Sequence, residues 1–294
     1  MKEVVILSGK GGTGKTVVAA SLISMQESTV AVDCDLDAPN LHLLLDREER
    51  SRRPLTSMKA LVSENDCNGC GTCARMCRFH AISLQGKGRG WRALVDPDRC
   101  EGCDLCRLIC PKQAIEMGEH ESGEQMVSKT SNGWLVHGVL EPPAENVGRF
   151  ASRLKDVARD RAREDGSPLL FVDGPPGIGC PTIASLSGAD FCLLVTEPTA
   201  SGLYDLERAA FLARQMHVPA AVLINRWDLN RSMAGRIESR VAEWGLPLLG
   251  KLAFDERVPQ SIIRAAPMTK LFPQSDFSEG LADAWDGIRA RLGL

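Results

Sequence analysis

The apolar positions of this 294-residue chain fall into short runs and longer periodic segments that alternate over most of its length. Short strand-like runs cover residues 4–8, 29–33, 169–173, 191–196 and 219–225. Segments with helical spacing cover residues 16–25, 150–164, 204–215 and 232–244. Because strands that alternate with helices usually pair in parallel, the pattern predicts a doubly wound α/β fold with a mainly parallel sheet.

A last periodic segment, residues 277–292, carries its large apolar side chains on one helical face. These are Leu281, Trp285, Ile288 and Leu292. The charged residues lie mainly elsewhere, and they do not form the strongly basic face of a membrane-surface helix. We therefore predict a helix that packs on the α/β core.

Composition and charge exclude several classes of protein. The chain is 44% apolar and 25% charged, with a net charge of −3 and interleaved acidic and basic residues, which is typical of a soluble globular protein without a nucleic-acid footprint. No apolar run approaches the roughly 20 residues of a membrane helix, and the start lacks a signal peptide's apolar segment. Eleven cysteines then favour metal binding over disulfides. We expect a cytoplasmic protein with no nucleic-acid or membrane partner.

The α/β pattern breaks after the second strand. Residues 47–59 are rich in charge, Ser and Pro, which predicts a surface boundary. The cysteine-rich stretch that follows repeats itself with a period of 33 residues, and each cysteine run is trailed by a short apolar piece. The predicted domains are an α/β domain of residues 1–58 and 119–294 and an insert of residues 59–118.

Residues 9–16 form the motif G-x-x-x-x-G-K-T between a predicted strand and a predicted helix, which is the context that this motif requires. Its glycines allow successive backbone N–H groups to converge on phosphate oxygens, Lys15 supplies charge to the terminal phosphates, and Thr16 can hold Mg²⁺. The positive end of the helix dipole adds to this. ATP or ADP with Mg²⁺ is therefore predicted to bind at Gly9, Gly11, Gly12, Thr13, Gly14, Lys15 and Thr16.

Carboxylates follow two of the predicted strands, at ends where doubly wound sheets bind ligands. Asp33, Asp35 and Asp37 follow the second strand, and Asp173 ends a later one. Hydrolysis of a γ-phosphate needs a carboxylate that holds metal waters or orients the nucleophile, and a loop that senses the phosphate. Asp173 is placed to act as this carboxylate, and the N–H of Gly177 is placed to contact the γ-phosphate. Each aspartate can instead cap a helix.

Eight cysteines form two runs of the same spacing, C-x2-C-x2-C-x3-C. The spacing resembles that of bacterial ferredoxins, in which the fourth cysteine of each run ligates the other 4Fe–4S cluster. The resemblance implies a small α+β ferredoxin-like insert with two clusters. One cluster is held by Cys67, Cys70, Cys73 and Cys110, and the other by Cys100, Cys103, Cys106 and Cys77. Paired zinc sites are the alternative, but they seldom combine three cysteines at two-residue steps with a distant fourth.

The phosphate loop and its surroundings resemble one superfamily. Lys10-Gly-Gly-x-Gly-Lys-Thr16 is similar to the deviant Walker A loop of the MinD and ParA superfamily, a SIMIBI-class group of P-loop ATPases. That group includes the Mrp-type iron–sulfur carriers and the nitrogenase iron protein. The likeness extends to residues 33–41, as switch I, and to residues 173–177, as switch II.

The resemblance implies roles for individual residues. Lys10 is expected to reach the nucleotide of a partner subunit, and Asp35 to lie near Mg²⁺ and the attacking water. Asn225 is expected to read adenine through its side-chain amide, although an asparagine here can also form a turn. The catalytic residues are then Lys10, Lys15, Asp35 and Asp173, with Thr16 and Asp35 on Mg²⁺.

Two features depart from the related patterns. Arg78 follows Cys77 where ferredoxins have proline, and its charge near a cluster would favour the reduced state. Cys180 follows the predicted phosphate-sensing loop, where the nitrogenase iron protein carries a ligand of an intersubunit cluster. This chain lacks a convincing second ligand, which weighs against a bridging role. Cys192 is expected to lie in the core.

These features predict an ATPase that works as an ATP-dependent homodimer or as a heterodimer with a paralogous ATPase. Its nucleotide state would gate electron transfer through two 4Fe–4S clusters to an unknown redox partner. A carrier or scaffold that delivers clusters to apoproteins is an alternative, against which the missing C-terminal Cys-x-x-Cys of the Mrp type weighs. MinD-like spatial organisation on a membrane or nucleoid is another, although no basic terminal helix or basic patch favours it.

Overall fold

The computed structural model describes residues 1–86, 90–141 and 147–294. The chain divides into two compact units. The α/β unit comprises Met1–Arg52, Gln125–Val139 and Val147–Leu294, and the cysteine-rich unit comprises Arg53–Glu124 and Leu140–Asn146. All eight cysteines of the two runs belong to the cysteine-rich unit.

Every strand and helix that the apolar pattern predicts is present, with ends shifted by a few residues. The strands are β1 (Lys2–Ser8), β2 (Thr29–Asp33), β3 (Arg47–Val62), β4 (Ile82–Gln85), β5 (Arg92–Val95), β6 (Ile115–Thr130), β7 (Gly133–Leu140), β8 (Leu169–Pro176), β9 (Phe191–Thr196), β10 (Ala220–Asn225) and β11 (Leu248–Leu252). The helices are α1 (Lys15–Ser24), α2 (Leu41–Leu44), α3 (Thr72–Met76), α4 (Leu105–Leu108), α5 (Val147–Asp165), α6 (Cys180–Leu186), α7 (Ala200–Gln215), α8 (Arg231–Glu243), α9 (Arg257–Ile263), α10 (Met268–Leu271) and α11 (Asp276–Leu292), with a 3-10 turn at Trp227–Asn230.

Nine strands form one sheet in the order β11-β10-β9-β1-β8-β2-β7-β6-β3. Parallel pairs join β1 to β8 and β9, β2 to β8 and β7, and β10 to β9 and β11. The carboxyl ends of β1, β2 and β8 therefore meet at one edge, where Asp33 is the register partner of Asp173. This is the edge at which open parallel sheets bind ligands.

The central strands are buried on both faces because helices cover the sheet. Strand β1 is inaccessible from Val4 to Leu7. Helix α11 packs its apolar face on this core, and the ring of Trp285 lies 5.4 Å from that of Phe171. The segment is thus the packing helix that its periodicity predicts. Among the described helices, none is long and apolar enough to cross a membrane.

Four strands of the nine-stranded sheet, β3, β6, β7 and β11, are missing from the sequence prediction. Strand β3 includes the charged run of residues 47–59, whose start is exposed and in which the two units divide between Arg52 and Arg53. The run is an extended strand at the edge of the nine-stranded sheet. Charged residues and proline are common on edge strands, where they discourage pairing with other chains. Composition alone therefore reads such a strand as a surface boundary.

The cysteine-rich unit is small, and its core contains few large side chains. Strands β4 and β5 form an antiparallel hairpin, and α3 and α4 are single-turn helices. The core side chains are small aliphatics and thiols: Ala60, Cys73, Ala81, Ile82, Ala93, Cys100 and Ile115. Such a core buries little apolar area for a unit of this size.

Candidate functional site

The loop between β1 and α1 has the backbone of a phosphate cradle. Gly12 and Gly14 have φ angles of +82° and +88°, in the left-handed region that favours glycine. A Cβ on Gly14 would lie 2.4 Å from Nδ2 of Asn225, so only glycine lets the loop approach the end of β10. Helix α1 begins at Lys15, and its first N–H groups have no carbonyl partner within the helix. The predicted strand, loop and helix are confirmed.

Lys15 lies buried among carboxylates at the strand ends. Its Nζ is 2.6 Å from Oδ1 of Asp173 and 3.4 Å from Oγ1 of Thr16. Burial lowers the pKa of the Lys15 ammonium, but Asp173 and Asp33 outweigh burial and hold the pKa above its ordinary value. The second oxygen of Asp173, Oδ2, is buried without a hydrogen-bond partner among the described residues. That oxygen is therefore a buried acceptor without a partner in the described part of this structure.

Asp33 organises the turn that follows β2. Its fully buried carboxylate accepts hydrogen bonds from the backbone N–H groups of Asp35, Asn40 and Leu41, at 3.0, 3.1 and 3.0 Å. Burial, together with the nearby charge of Asp173, raises the pKa of Asp33 to about 7. The turn held in this way places Asp35 on the wall of a cleft, and burial raises the pKa of Asp35 as well.

The cleft opens over the phosphate loop and has a volume of about 960 Å³. Most of the predicted nucleotide-site residues line it: Gly11, Gly12, Thr13, Gly14, Lys15, Thr16, Asp35 and Asn225. An apolar wall comes from α2 and from the region of α9, and includes Leu43, Phe254, Val258 and Ile262. The volume and the few convergent polar groups suit a mononucleotide. Sequence reasoning missed the wall because its residues belong to two distant segments without a motif.

Four predicted site residues lie outside the cleft lining: Gly9, Lys10, Asp173 and Gly177. Gly9 packs against α7, where a Cβ would lie only 2.3 Å from Cβ of Asp205. The N–H of Gly177 donates to the carbonyl of Ser8 at 3.0 Å. Gly9 therefore permits a close approach of two elements, and Gly177 must release Ser8 before its N–H can meet a phosphate.

Lys10 is held by its own chain. Its Nζ lies 2.6 Å from the carboxylate of Glu197 and donates to the hydroxyls of Thr199 and Ser201 at 3.2 and 3.1 Å. Thr199 is the N-cap of α7, so Lys10 rests at the start of that helix. Sequence reasoning missed Glu197 because no motif marks the end of β9.

Asn225 ends β10 with its side-chain amide engaged. Its Nδ2 donates to the carbonyl of Thr13 at 2.8 Å, and its Oδ1 accepts from the N–H of Arg226 at 3.0 Å. Arg226, with φ of +55°, donates to the carbonyl of Gly12 at 3.2 Å and lies 3.4 Å from Glu197. Asn225 thus fastens the phosphate loop in this structure. Arg226 is a further loop contact that the sequence prediction missed.

The donor set fits Mg²⁺ and a nucleotide. The unpartnered oxygen of Asp173, the hydroxyl of Thr16 and the carboxylate of Asp35 are hard oxygen donors of the kind that Mg²⁺ prefers. Oγ1 of Thr13 is also buried without a partner in the described part of the chain. Lys15 and the loop N–H groups supply the positive charge that phosphates need.

The two cysteine runs have matching backbone geometry 33 residues apart. Gly69 and Gly102 have φ angles of +67° and +62°, and a Cβ on either glycine would meet a backbone carbonyl, that of Trp91 or Met58, within 2.2 Å. His80 and Gln113, also equivalent, have φ of +53° and +52°. The internal repeat that the sequence predicts is therefore a repeat of structure.

The fourth cysteine of each run receives the same backbone hydrogen bond. The N–H of Ala81 donates to Sγ of Cys77, and the N–H of Ala114 donates to Sγ of Cys110, both at 3.4 Å. Backbone N–H donors to sulfur are common around thiolates that bind metals. The two sulfurs therefore occupy equivalent environments.

Two cavities divide the eight cysteines. The first cavity is lined by Cys67, Cys70, Cys73 and Cys110. The second cavity is lined by Cys77, Cys100, Cys103 and Cys106, and also touches Cys73. The fourth cysteine of each run thus lies with the first three of the other run.

The thiols of each group influence one another. Burial, followed by the charges of neighbouring cysteines, raises the pKa of Cys106 to about 11 and raises that of Cys73. In the described part of the chain, no three His, Cys, Asp or Glu side chains are grouped as a site for one metal ion. Burial disfavours the charged thiolate, and repulsion from neighbouring thiolates adds to this effect, so the protonated forms of Cys73 and Cys106 are favoured.

The remaining cysteines lie in the α/β unit. Cys192 is buried in β9, as predicted, and burial raises its pKa. Cys34 is also fully buried, and burial raises its pKa to about 12. Cys180 is exposed at the first position of α6. Cys34 and Cys192 are therefore unreactive core residues.

A glycine loop between a central parallel strand and a helix, with a buried lysine and strand-end carboxylates, defines the P-loop class of nucleotide-binding proteins. Within that class, the chain belongs to the CobQ/CobB/MinD/ParA nucleotide-binding family, which it matches over residues 4–268. The predicted membership of the MinD and ParA superfamily is confirmed.

Relatives span most of the chain. The uncharacterised protein MJ0578 of Methanocaldococcus jannaschii is 33% identical over 232 residues, which are 78% of this chain and 79% of that protein. A chloroplastic homologue of the septum site-determining protein MinD from Arabidopsis thaliana is 28% identical over 274 residues, 90% of this chain and 68% of the relative. The structure of MinD with Mg-ADP from Pyrococcus horikoshii OT3 matches with a TM-score of 0.61 at 17% identity. The match covers 99% of this chain and 97% of the MinD chain. The mainly parallel P-loop fold is thus shared.

Proposed function

We propose that this protein hydrolyses ATP with Mg²⁺ and couples its nucleotide state to electron transfer through two 4Fe–4S clusters. The observation that carries the proposal is the division of the eight cysteines between two cavities. Each cavity is lined by three cysteines of one run and the fourth of the other, and the second also touches Cys73. Ferredoxin-type cluster pairs are ligated in this crossed manner. Membership of a nucleotide-binding family supports the ATP half.

The α/β unit carries the residues for ATP hydrolysis. Lys15 and the loop N–H groups would hold the phosphates, and Thr16 would hold Mg²⁺. When Lys15 binds phosphate instead of Asp173, both oxygens of Asp173 become free for the waters of Mg²⁺. Asp35 lines the same cleft, and burial raises its pKa, which supports a role in orienting the attacking water.

The cysteine-rich unit carries the residues for the clusters. The first cavity would hold one 4Fe–4S cluster and the second cavity the other, and each cluster would supply single-electron transfer. Backbone N–H groups already donate to the sulfurs of Cys67, Cys77 and Cys110, at 3.4–3.5 Å. Such bonds stabilise cluster ligands and tune their potential. An all-sulfur donor set in a unit with a small aliphatic core supports iron–sulfur binding.

Coupling would use a dimer and the continuity of the chain. Lys10 would leave its own Glu197 to reach the nucleotide of a second copy or of a paralogous ATPase. Strand β3 starts three residues after α2 and ends five residues before Cys67, so one strand joins the Asp33 turn to the first cysteine run along the chain. A nucleotide-dependent change in that turn would therefore reach the cysteine runs.

The test is the ATPase rate and the EPR spectrum of anaerobically purified protein, with and without ATP. We expect about eight irons per chain, two clusters of four, Mg²⁺-dependent phosphate release, and a reduced-cluster signal that ATP alters. Lys15→Ala is the matched control, because it should abolish phosphate release and the ATP effect while iron content stays unchanged. Phosphate release that leaves the clusters unaffected would contradict coupling, and protein without iron after anaerobic reconstitution would contradict the cluster half.

MinD-like spatial organisation is a second candidate, favoured by the whole-chain fold likeness to MinD. Under that function, ATP would drive binding to a surface, independently of reduction of the clusters. Cosedimentation with anionic liposomes or DNA, in ATP and in ADP, separates the two candidates. We expect no ATP-dependent sedimentation with either.

A further inference from the structure

A buried lysine lies beside one of the two cysteine cavities. Lys59, in β3, is 6% exposed, and its Nζ donates to the carbonyl of Cys100 at 2.6 Å. Cys100 lines the second cavity. Among the described residues, no carboxylate forms an ion pair with Lys59. Its ammonium is therefore a buried positive charge held against the backbone of one predicted cluster ligand.

The internal repeat provides a built-in comparison. Met58 and Trp91 present their carbonyls to equivalent glycines of the two runs, so Arg92 takes the place of Lys59 beside the first cavity. Arg92 is directed to the surface, where it donates to the carbonyls of Glu64 and Trp91 at 2.8 Å each. The positive charge at this position is thus buried in one half of the repeat and solvated in the other.

Other charges at the second cavity are exposed, paired or half-exposed. Arg78 is exposed, and Arg107 pairs with Asp104 at 2.5 Å. Glu101 is half-exposed, and its negative charge opposes that of Lys59. The interaction of two charges scales inversely with the effective dielectric, which falls several-fold between solvent and a protein interior. The buried lysine therefore outweighs the solvated groups.

We propose that Lys59 is a tuning residue that raises the reduction potential of the cluster in the second cavity above that of the cluster in the first. The inference rests on the proposed function, because it requires both clusters. An added electron makes a cluster more negative, and a nearby buried cation favours that reduced form. An electron shared between the two clusters then resides mainly in the second cavity.

The experiment is an EPR-monitored redox titration of the anaerobic full chain, without nucleotide. Lys59→Gln removes the charge and retains a donor for the carbonyl of Cys100. We expect the higher of two midpoint potentials to fall, with at least a tenfold change in that cluster's reduction equilibrium, about 59 mV for one electron. The lower midpoint stays unchanged. Lys59→Arg retains the charge and the higher midpoint. The matched control is Arg78→Gln, which removes an exposed charge from the same cavity and shifts the midpoint less.

Two results would overturn the inference directly: unchanged midpoints in Lys59→Gln, or an equally large shift in Arg78→Gln. If Lys59→Gln does not keep its clusters, the two midpoint potentials of the unaltered protein test the inference instead. Two separated midpoints that Lys59→Arg preserves support the inference, and two equal midpoints overturn it. Unaltered protein that binds no clusters would refute the proposed function itself, which iron and sulfide analysis distinguishes from a failure of the tuning.

Discussion

The ammonium group of Lys15 lies close to several carboxylates at the strand ends and interacts with their negative charges. Lys15 pairs with Asp173, and Asp33 lies near enough to both for their charges to act on its own ionisation. Burial of carboxylates without full compensation disfavours their ionised forms. A bound Mg²⁺ would supply the missing positive charge. The arrangement that costs stability in the free chain would therefore favour binding of a metal–nucleotide complex.

The raised pKa of Asp33, about 7, predicts a pH dependence of stability. In the unfolded chain this carboxyl ionises near its ordinary pKa, so the folded chain holds the proton more tightly than the unfolded chain does. The resulting contribution to folding stability is fully present below about pH 4 and is lost as the pH rises to about 7. The side chain of the Asp33→Asn variant cannot ionise, and its amide N–H group faces two backbone donors. We therefore expect the variant to be less stable than the unaltered protein at every pH. We expect its deficit relative to the unaltered protein to shrink between pH 5 and pH 7.5, by on the order of 1 kcal/mol per pKa unit.

Urea unfolding of both proteins without nucleotide measures this deficit. Asp46→Asn is a suitable control, because its exposed carboxyl has a lowered pKa and should give no narrowing over the same range. A deficit of Asp33→Asn that stays constant or widens with pH would contradict the assignment.

At the scale of elements, one buried lysine fastens β1, α5 and α6 together. Nζ of Lys155 in α5 lies 2.5 Å from the carboxylate of Glu3 in β1 and donates to the carbonyls of Ser185 and Ser187. The last carbonyls of a helix have no partner within it, so Lys155 satisfies groups that α6 leaves open. Lys155 therefore links α6, the helix that follows residues 173–177, to β1 and α5.

We expect Lys155→Met to destabilise the protein by roughly 3–5 kcal/mol, because it leaves Glu3 as a buried, less compensated charge. Arg163→Met, at an exposed position of the same helix, should change stability by less than about 0.5 kcal/mol. Urea unfolding compares the two variants. Similar losses of unfolding free energy in both variants would show that the buried Lys155–Glu3 pair contributes no more to stability than an exposed ion pair.

The elements around the nucleotide site were predictable because each carries a local signal. Continuous apolar runs mark β1, β2 and β8, and the glycine motif fixes the loop and the start of α1. Strands β3 and β6 carry no such signal, since polar side chains occupy much of both strands at the end of the sheet. Strand β7 is mostly buried, but glycine and histidine interrupt its short apolar run. Likewise the loop contact of Asn225 joins residues 212 apart, which only the order of β9 and β10 beside β1 brings together. The cysteine sets stay a prediction from spacing that the cavities support.

At the scale of the whole molecule, crossed ligation makes a prediction that single substitutions cannot. Cys67→Ser with Cys110→Ser removes two ligands from the first cavity and none from the second. Cys67→Ser with Cys77→Ser removes one ligand from each. We expect the first double variant to retain about half of the iron and the second to retain much less. Iron and sulfide analysis after anaerobic reconstitution measures both, and the reverse order would indicate that each run binds its own cluster.

The resting contact of Lys10 predicts a change in assembly. Glu197→Gln removes the charge that holds Lys10 on its own chain, at 2.6 Å, so the lysine becomes available to a second subunit. We expect ATP-dependent dimers to form at several-fold lower protein concentration, as measured by analytical ultracentrifugation. The control is Glu207→Gln, an exposed position in α7. Weaker dimerisation of Glu197→Gln would show that Glu197 instead supports the interface.

The core of the cysteine-rich unit has a consequence for the life of the protein in a cell. Its buried side chains are small aliphatics and thiols, so the groups that would bind iron are also the groups around which the unit packs. When metal ligands form the core, metal binding contributes directly to folding. A chain made during iron shortage would then expose residues 53–124 to proteases while the α/β unit stays folded. Its abundance would follow iron supply even at a constant rate of synthesis.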